Sequence, residues 1–244
     1  MLANNPAPCH IGFLVFPGMT QLDFTGPYEV FARLPDTLVH VIAAADGPVR
    51  TDRGLVIMPT ITCDECPLLD VVVVPGGPGQ QALMDDEAAL DFLRRQSKQA
   101  RYVTSVCTGA LVLGAAGLLR GYRATTHWLS LPLLEVFGAV AVDERVVVDR
   151  NRITGGGVTA GIDFALYLAA MLRGEAIAQQ IQLQMEYNPA PPFQCGSPAT
   201  APKAVIDAVR RAAAPLQQER WKFAHKWRKD WKSLSDPAPS RASG

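Results

Sequence analysis

Short, continuous apolar runs recur along this chain, separated by stretches with helical spacing. The plainest runs are 11–16 (IGFLVF), 39–45 and 69–77, the last of which ends in a glycine pair. Runs of this length are typical of strands buried on both faces of a sheet. Apolar residues at helical spacing fill the intervals, as over 86–98 and 159–174. This alternation predicts an α/β domain with a mainly parallel sheet.

The same patterns predict the remaining elements of the chain. Asp23 or Thr25 would cap the first helix, with Pro27 in its first turn. The other expected elements are a helix over 28–34, a hairpin-like insertion over 49–62, a strand over 102–106 followed by a helix to Leu119, a strand over 123–128, a helix over 131–138, strands within 139–157 and a helix over 175–187.

Beyond Tyr187 the composition changes. A proline-rich arm follows, which should lie extended on a surface, and after it a helix near 203–213 and a final basic and aromatic segment. We therefore expect a domain over 1–200, a C-terminal helical extension over 201–234 and a disordered tail over 235–244.

Composition narrows the class of protein. The 244 residues are 48% hydrophobic and 19% charged, with a formal net charge of +0, so no long-range field would recruit nucleic acid or a membrane. No apolar run is long enough for a transmembrane helix. The N-terminal residues lack the features of a signal peptide, which favours the cytoplasm. The five cysteines are an odd number in a long chain, which argues against a disulfide framework.

Cys107 stands where the apolar run 102–106 ends and a helical stretch begins. A thiol at this corner has the strand–nucleophile–helix arrangement of a nucleophile elbow, with Gly109 and Ala110 small enough for the tight turn. Helix N–H groups would stabilise the thiolate, so we expect a lowered thiol pKa. The alternative is a cysteine that only packs, since free cysteine is often buried.

Other predicted strand ends carry groups suited to a site. These groups are Asp23, Gly76 with Gly77, His127 and the loop Gly155–Gly157. In an open parallel sheet such ends lie along one edge, so an acid, a thiol, an imidazole and free backbone N–H groups would converge. Three of these have a plainer alternative: Asp23 as a helix cap, His127 as a core histidine and Gly155–Gly157 as a phosphate loop, although no G-x-G-x-x-G pattern follows the first strand.

Four motifs resemble the PfpI/ThiJ superfamily: FPGMTQLDFTGPYEVF, VVVVPGGPG, YVTSVCTGALVLGAAGLLRGYRATTHW and RITGGGVTAGIDFALYLAA. The resemblance covers roughly residues 9–200 and is strongest to the isocyanide hydratase group, through SVCTG, TTHW and EYNPAPPF among others. It implies a flavodoxin-like sandwich, like that of class I glutamine amidotransferases, with a mainly parallel β-sheet between helices.

The resemblance also implies roles for individual residues. Cys107 would be the nucleophile, and Asp23 stands where many members have a Glu hydrogen-bonded to the thiol. The amides of Gly77 and Cys107 would form an oxyanion hole. The remaining residues expected to line the substrate site are Thr108, His127, Gly156 and Val158. Thr108 replaces the His of protease-like members, and no late His-x-Glu pair supports glutaminase chemistry.

The implied activity is hydration of an isocyanide to an N-substituted formamide. Cys107 would attack the terminal carbon to give a thioimidate, Asp23 would handle protons, and water would release the product. The resemblance implies no metal and no organic cofactor, isocyanide and water as small-molecule partners, and a homodimer.

Two other functions stay open at this point. The superfamily also hosts enzymes acting on 2-oxoaldehydes, and related domains form the sensory halves of AraC-family regulators. The segment RWKFAHKWRKDW could bind nucleic acid or a membrane surface, although Phe223, Trp227 and Trp231 at helical spacing favour packing on the body or on a second copy. Cys63 and Cys66 form a lone CxxC, a weak signal for metal or redox chemistry.

Overall fold

The computed structural model describes residues 8–235, with side chains described as far as residue 228. Within this range the strands are β1 (Cys9–Leu14), β2 (Thr37–Ala43), β3 (Val49–Arg50), β4 (Val56–Ile57), β5 (Ile61–Thr62), β6 (Val71–Val74), β7 (Tyr102–Val106), β8 (Arg123–Ala124), β9 (Val140–Ala141), β10 (Val146–Asp149) and β11 (Arg152–Gly155). The helices are α1 (Gln21–Phe31), α2 (Gln80–Asp85), α3 (Glu87–Ser97), α4 (Gly109–Ala115), α5 (Leu133–Val136), α6 (Ala160–Arg173), α7 (Glu175–Gln184) and α8 (Lys203–Ser235).

A seven-stranded sheet forms the centre of the described chain, in the order β10-β11-β7-β6-β1-β2-β5. Every neighbouring pair in it is parallel except β10 with β11. The carboxyl ends of β1, β6, β7 and β11 therefore meet at one edge, as the sequence predicts. The mainly parallel sheet, flanked by helices, confirms the predicted α/β sandwich.

The core is a continuous apolar layer on the sheet. All four residues of β6, Val71–Val74, are buried, which explains why that run carries no polar residue. On one side α1 packs against α6, where the ring of Phe31 meets that of Phe164 edge to face at 5.9 Å. A second group of helices, α3, α4 and α5, packs together around Leu111 and Leu113. The helices thereby hold the ends of the central strands in place.

Helix α1 begins earlier than the sequence predicts. It starts at Gln21 with Thr20 as its N-cap, so neither Asp23 nor Thr25 caps it, and Pro27 lies inside the helix. Proline in a helix interior removes one backbone hydrogen bond, which is why the pattern indicated a start near residue 28. Here the packing of the buried helix, including the contact of Pro27 with Gly161 of α6, offsets the lost hydrogen bond.

Other elements differ in extent from the predictions. The predicted strand over 123–128 is limited to β8, and a 3-10 turn begins at Trp128. The helix over 86–98 is confirmed as α3, with Asp86 as its N-cap, but α2 before it was not predicted. Strands β3 and β4 form the predicted hairpin, whereas β5 joins the edge of the main sheet.

The C-terminal segment is one helix, α8, rather than two elements. It continues through Pro215 and packs onto the body near α5. Phe223 is buried, and the Trp227 ring lies against Phe137 while its Nε1–H donates to the Ala115 carbonyl at 3.2 Å. These contacts confirm packing on the body for Phe223 and Trp227.

Some predictions reach beyond the residues that the structure describes. The side chain of Trp231 and most of the expected tail over 235–244 lie outside that range. Between residues 8 and 235, none of the helices combines the length and the apolar character needed to cross a membrane.

The Phe164 side chain should be a main support of the α1–α6 contact. Phe164→Ala removes a fully buried ring, so we expect the free energy of unfolding in urea to fall by about 3–5 kcal/mol. The control is Phe193→Ala, which removes the same kind of ring from an exposed position. Equal losses in the two variants would contradict this account of the core.

Candidate active site

Cys107 occupies the corner between β7 and α4, as predicted. Its φ of +53° is in the left-handed region, which is uncommon for a residue with a side chain. The corner is fixed on both sides: the Cys107 amide donates to the Gly155 carbonyl at 3.0 Å, and the Thr126 hydroxyl donates to the Cys107 carbonyl at 2.7 Å. This is the geometry of a nucleophile elbow, held by β11 and by the loop after β8.

Gly109 makes the sharp turn into α4 possible. A Cβ atom there would lie 2.0 Å from the carbonyl oxygen of Val74, the last residue of β6. Helix α4 therefore approaches the end of the neighbouring strand more closely than any other residue type would allow. The first turn of α4 consequently lies directly beside the thiol.

Asp23 lies beside the thiol rather than at a helix cap. It is fully buried in α1, and its Oδ2 accepts a hydrogen bond from the Gly76 amide at 2.9 Å. Its carboxyl group also forms a side-chain hydrogen bond with Cys107. Oδ1 is buried without a nitrogen or oxygen donor among the described residues. The structure thus brings together the acid and the thiol that the sequence singled out.

Burial raises the pKa of the Asp23 carboxyl from 3.8 to about 7. The hydrogen bonds from the Gly76 amide and from Cys107 oppose this shift, and the negative charge of Asp52 adds to it. A carboxyl with a pKa near 7 can exchange protons in both directions at neutral pH. Asp23 is therefore suited to act as a general base and then as a general acid.

The pKa of the Cys107 thiol is raised, which corrects the prediction that it would fall. Burial is the largest cause, and the adjacent Asp23 charge raises it further. The Thr108 amide and the positive charge of Arg220 lower the pKa, but by less. The start of a helix does stabilise a thiolate, as the sequence predicts. For a thiol this deeply buried, however, the loss of hydration destabilises the thiolate more than one amide stabilises it. The resting form is a thiol beside a carboxyl group.

The two amides expected to form an oxyanion hole both donate hydrogen bonds to other groups of the protein. The Gly77 amide donates to Thr108 Oγ1 at 3.0 Å, and the Cys107 amide donates to Gly155. The amide that faces the sulfur is instead that of Thr108. Gly77 therefore holds Thr108, and Thr108 contacts the nucleophile.

His127 is near this edge but is turned toward its own loop. Its Nδ1 accepts a hydrogen bond from the Leu129 amide at 3.4 Å, and its ring stacks on Trp128. Burial, and secondarily the charge of Arg220, lower its pKa, so the ring is neutral at neutral pH. In the described part of the chain no hydrogen bond joins His127 to Cys107 or Asp23.

Gly156 and Val158 lie on the loop that joins β11 to α6. This loop starts next to the nucleophile, because the Gly155 carbonyl just before it accepts the Cys107 amide. The Gly156 amide donates to the Arg145 carbonyl at 2.9 Å, and the half-buried Val158 packs against the core. Both residues are thus held beside the elbow.

Arg220 was not predicted from the sequence to lie near this site. Its side chain is buried, and it belongs to the basic and aromatic segment near the C-terminus. A signal was available: Arg220 lies three, four and seven residues before Phe223, Ala224 and Trp227, which form the packed face of α8. An arginine on such a face has to be buried with its neighbours.

Cys63 and Cys66 are free thiols that are partly buried. Burial raises the pKa of each thiol to about 11, so both are protonated at neutral pH. Among the residues that the structure describes, no three metal-ligating side chains cluster together.

Known proteins share much of this chain's sequence and fold. Isonitrile hydratase of Pseudomonas putida is 60% identical over 205 residues, which span 84% of this chain and 90% of that protein. The crystal structure of a ThiJ/PfpI family protein from Pseudomonas syringae superposes with a TM-score of 0.88 at 44% identity, covering 89% of this chain and 91% of that one.

A third relative is a regulator. The HTH-type transcriptional regulator GbdR of Pseudomonas aeruginosa is 33% identical over 194 residues, which span 76% of this chain but only 52% of that longer protein. The family model described as DJ-1/PfpI family matches residues 10–171, a span that includes the sheet, Asp23 and the elbow. By this match and by its relatives, the chain belongs to the DJ-1/PfpI family.

Proposed function

We propose that this protein is an isocyanide hydratase, which adds water to the terminal carbon of R–N≡C and releases an N-substituted formamide. The observation that carries the proposal is the 60% identity to the Pseudomonas putida isonitrile hydratase over 84% of the chain, isonitrile being another word for isocyanide. The buried pair of Cys107 and Asp23 supplies the two groups that this chemistry needs.

In the first step the sulfur of Cys107 attacks the electrophilic isocyanide carbon. The S–H bond breaks as the C–S bond forms, and the Asp23 carboxylate takes the proton. The same proton then passes from Asp23 to the isocyanide carbon, which gives a thioimidate, R–N=CH–S–Cys107. Asp23 is suited to both transfers because its pKa of about 7 makes neither direction strongly unfavourable.

In the second step water adds to the thioimidate carbon. Asp23 removes a proton from the water and passes it to the nitrogen as the tetrahedral intermediate R–NH–CH(OH)–S–Cys107 forms. The C–S bond then breaks as the C=O bond forms, Asp23 carries the hydroxyl proton to the sulfur, and the formamide R–NH–CHO leaves. The sum is one isocyanide and one water converted to one formamide, with Cys107 and Asp23 restored, so the chemistry proposed here uses the chain's own groups throughout.

The other predicted site residues have supporting roles in this proposal. The Thr108 amide stabilises negative charge on the sulfur as the proton leaves, and Gly77 keeps Thr108 in place. His127, Gly156 and Val158 border the substrate, with the His127 ring neutral. Because Cys107 is 5% exposed, bulk water is largely excluded from the reacting sulfur.

The two alternative functions have less support. The regulator GbdR matches this chain at 33% identity, well below the hydratase, and through only half of its own length. Action on 2-oxoaldehydes would use the same thiol, but the 60% identical relative favours isocyanides. The basic and aromatic segment has its packed face on the body through Phe223 and Trp227, so its pattern needs no nucleic acid to explain it.

The proposal includes the assembly and the compartment. We infer a homodimer, since large apolar side chains are exposed on α6 and α7, among them Tyr167 and Leu183. A cytoplasmic location stays a prediction, supported by the five free cysteines.

Turnover of an aryl isocyanide should depend on Cys107. Formamide formation, followed by ultraviolet absorbance, should be rapid in the wild type and fall to the uncatalysed rate in Cys107→Ala, because no thioimidate can form. The matched control is Cys195→Ala, which removes an exposed thiol and should leave the rate unchanged. Full activity in Cys107→Ala would exclude the covalent mechanism.

The pH dependence of kcat/KM should follow the protonation of Asp23. Only the carboxylate can accept the thiol proton, so kcat/KM should fall about tenfold per pH unit below pH 7 and level off above it. Asp23→Asn should lower kcat/KM by roughly 10²–10⁴-fold and abolish this limb.

A matched variant tests the origin of that pKa. Asp52→Asn removes a neighbouring negative charge that raises the Asp23 pKa. The midpoint of the kcat/KM profile should therefore move to lower pH while activity is kept. A wild-type profile that is flat between pH 5 and 8 would contradict the role of Asp23.

The assembly can be measured directly. Light scattering on the purified protein should give about twice the mass of one chain, because the exposed apolar surface on α6 and α7 would be covered by a second copy. A mass of one chain across the micromolar range would rule out the dimer.

A further inference from the structure

Arg220 is a buried guanidinium whose bonded partners are all neutral. It is 6% exposed, and its Nη2 donates to Gln80 Oε1 at 2.9 Å while its Nη1 lies 3.3 Å from Ser130 Oγ. With the Gln217 amide oriented so that both its ends are satisfied, its oxygen also accepts from Nη1 at 2.9 Å. Among the described residues no carboxylate pairs with Arg220, and its Nε has no acceptor.

A buried cation with only neutral partners is unusual. Neutral acceptors satisfy individual N–H groups, but they do not return the solvation free energy that a full charge loses on leaving water. Chains normally place such a charge beside an acid or replace it by an apolar residue. We therefore expect a negatively charged group near Arg220 that stabilises its buried charge.

The two loops that hold Arg220 both border the nucleophile. Gln80 is the first residue of α2, directly after the loop of Gly76 and Gly77, and Ser130 lies in the turn after His127. The charge of the guanidinium lowers the pKa of both Cys107 and His127. In return, the thiolate of Cys107 favours the charged form of Arg220.

We propose that Arg220 is the counter-charge of the nucleophile: its guanidinium stabilises the Cys107 thiolate while the proton is on Asp23, which makes α8 part of the active site. The step is a proton transfer in which the S–H bond breaks, the electron pair stays on sulfur and the proton moves to the carboxylate. Among the described residues, no hydrogen bond joins Arg220 to the sulfur. Arg220 therefore does not react itself, and it acts on the reaction only through its electrostatic effect on Cys107. The inference rests on the nucleophilic role of Cys107 in the proposed function.

Within the described residues, the charges around the thiol come from different elements. Asp23, in α1, raises the pKa of the thiol. Arg220, in α8, lowers it, and so does the amide of Thr108, the N-cap of α4. Asp52 acts on Asp23, and the neutral His127 faces Arg220. Arg220 is thus the positive side chain that offsets the negative charge shared by Asp23 and Cys107.

The test measures alkylation of Cys107 by iodoacetamide between pH 6 and 10, followed at the Cys107 peptide by mass spectrometry. Arg220→Met keeps an unbranched stem but removes the guanidinium and its charge. It should slow alkylation at pH 8 about tenfold and move the midpoint of the alkylation profile to higher pH. Arg220→Lys keeps the charge, so its rate of alkylation should lie between the rates of Arg220→Met and the wild type. The matched control is Lys222→Met, which removes an exposed cation two residues away and should behave as the wild type.

A purely structural role predicts the opposite sign. If Arg220 only held α8 on the body, its loss would expose the thiol to water, and alkylation would become faster with a midpoint at lower pH. Fluorescence of the tryptophans, which include Trp227 packed on Phe137, reports whether α8 stays docked. Alkylation of Arg220→Met that is unchanged or faster would overturn the proposal.

The same variants separate this inference from the proposed function. Alkylation requires only a reactive thiol, whereas formamide production requires the isocyanide reaction. A slower alkylation of Arg220→Met together with no isocyanide turnover in the wild type would support the counter-charge and reject the hydratase. Loss of turnover in Arg220→Met with unchanged alkylation would support the hydratase and reject the counter-charge.

Discussion

The hydrogen bond from the Gly76 amide to the Asp23 carboxylate ties together chain segments that are distant in sequence. It joins α1 to the loop after β6, at a point where a Cβ atom on Gly76 would lie 2.9 Å from the carboxylate and 2.4 Å from the Thr108 amide nitrogen. Acid, loop and helix start therefore meet without room for one methyl group. The relative positions of Asp23 and Cys107 follow from this contact, since the thiol is the residue just before Thr108.

Burial governs the chemistry of this contact more than hydrogen bonding does. It raises the pKa of Asp23 to about 7 and that of Cys107 above its ordinary range, against the opposing hydrogen bonds. Most of the ion pairs on the described surface, such as Arg33 with Glu29, are exposed and contribute at most about 1 kcal/mol each. Inside the site the same charges act through a medium of low dielectric constant, where one proton decides which group is reactive.

Much of the fold follows from local patterns in the sequence. The buried runs predict β1, β2, β6 and β7, and a cysteine at the end of one of them predicts the elbow, because parallel strands bring their carboxyl ends together. The start of α1 was missed since Gly26 and Pro27 weaken the helical signal, while the tertiary contact with α6 that overrides them is not local.

The electrostatics of the site were harder to foresee. The thiol pKa was predicted with the wrong sign because the depth of burial at Cys107 depends on every element around it. Arg220 was overlooked since its partners Gln80, Ser130 and Gln217 are brought together only by the docking of α8. Local spacing identifies which residues are reactive, whereas their proton affinities are set by the folded environment as a whole.

The place of α8 in the chain has a consequence for how the protein is made. Synthesis runs from the N-terminus, and all eleven described strands precede α8, so the sheet can assemble while Arg220 is still to be translated or is inside the ribosome. For that interval the nascent protein holds an elbow, a thiol and an acid without the guanidinium that faces them. Under the role proposed for Arg220, the docking of α8 then supplies this charge, and the thiol becomes more reactive only after this helix has left the ribosome.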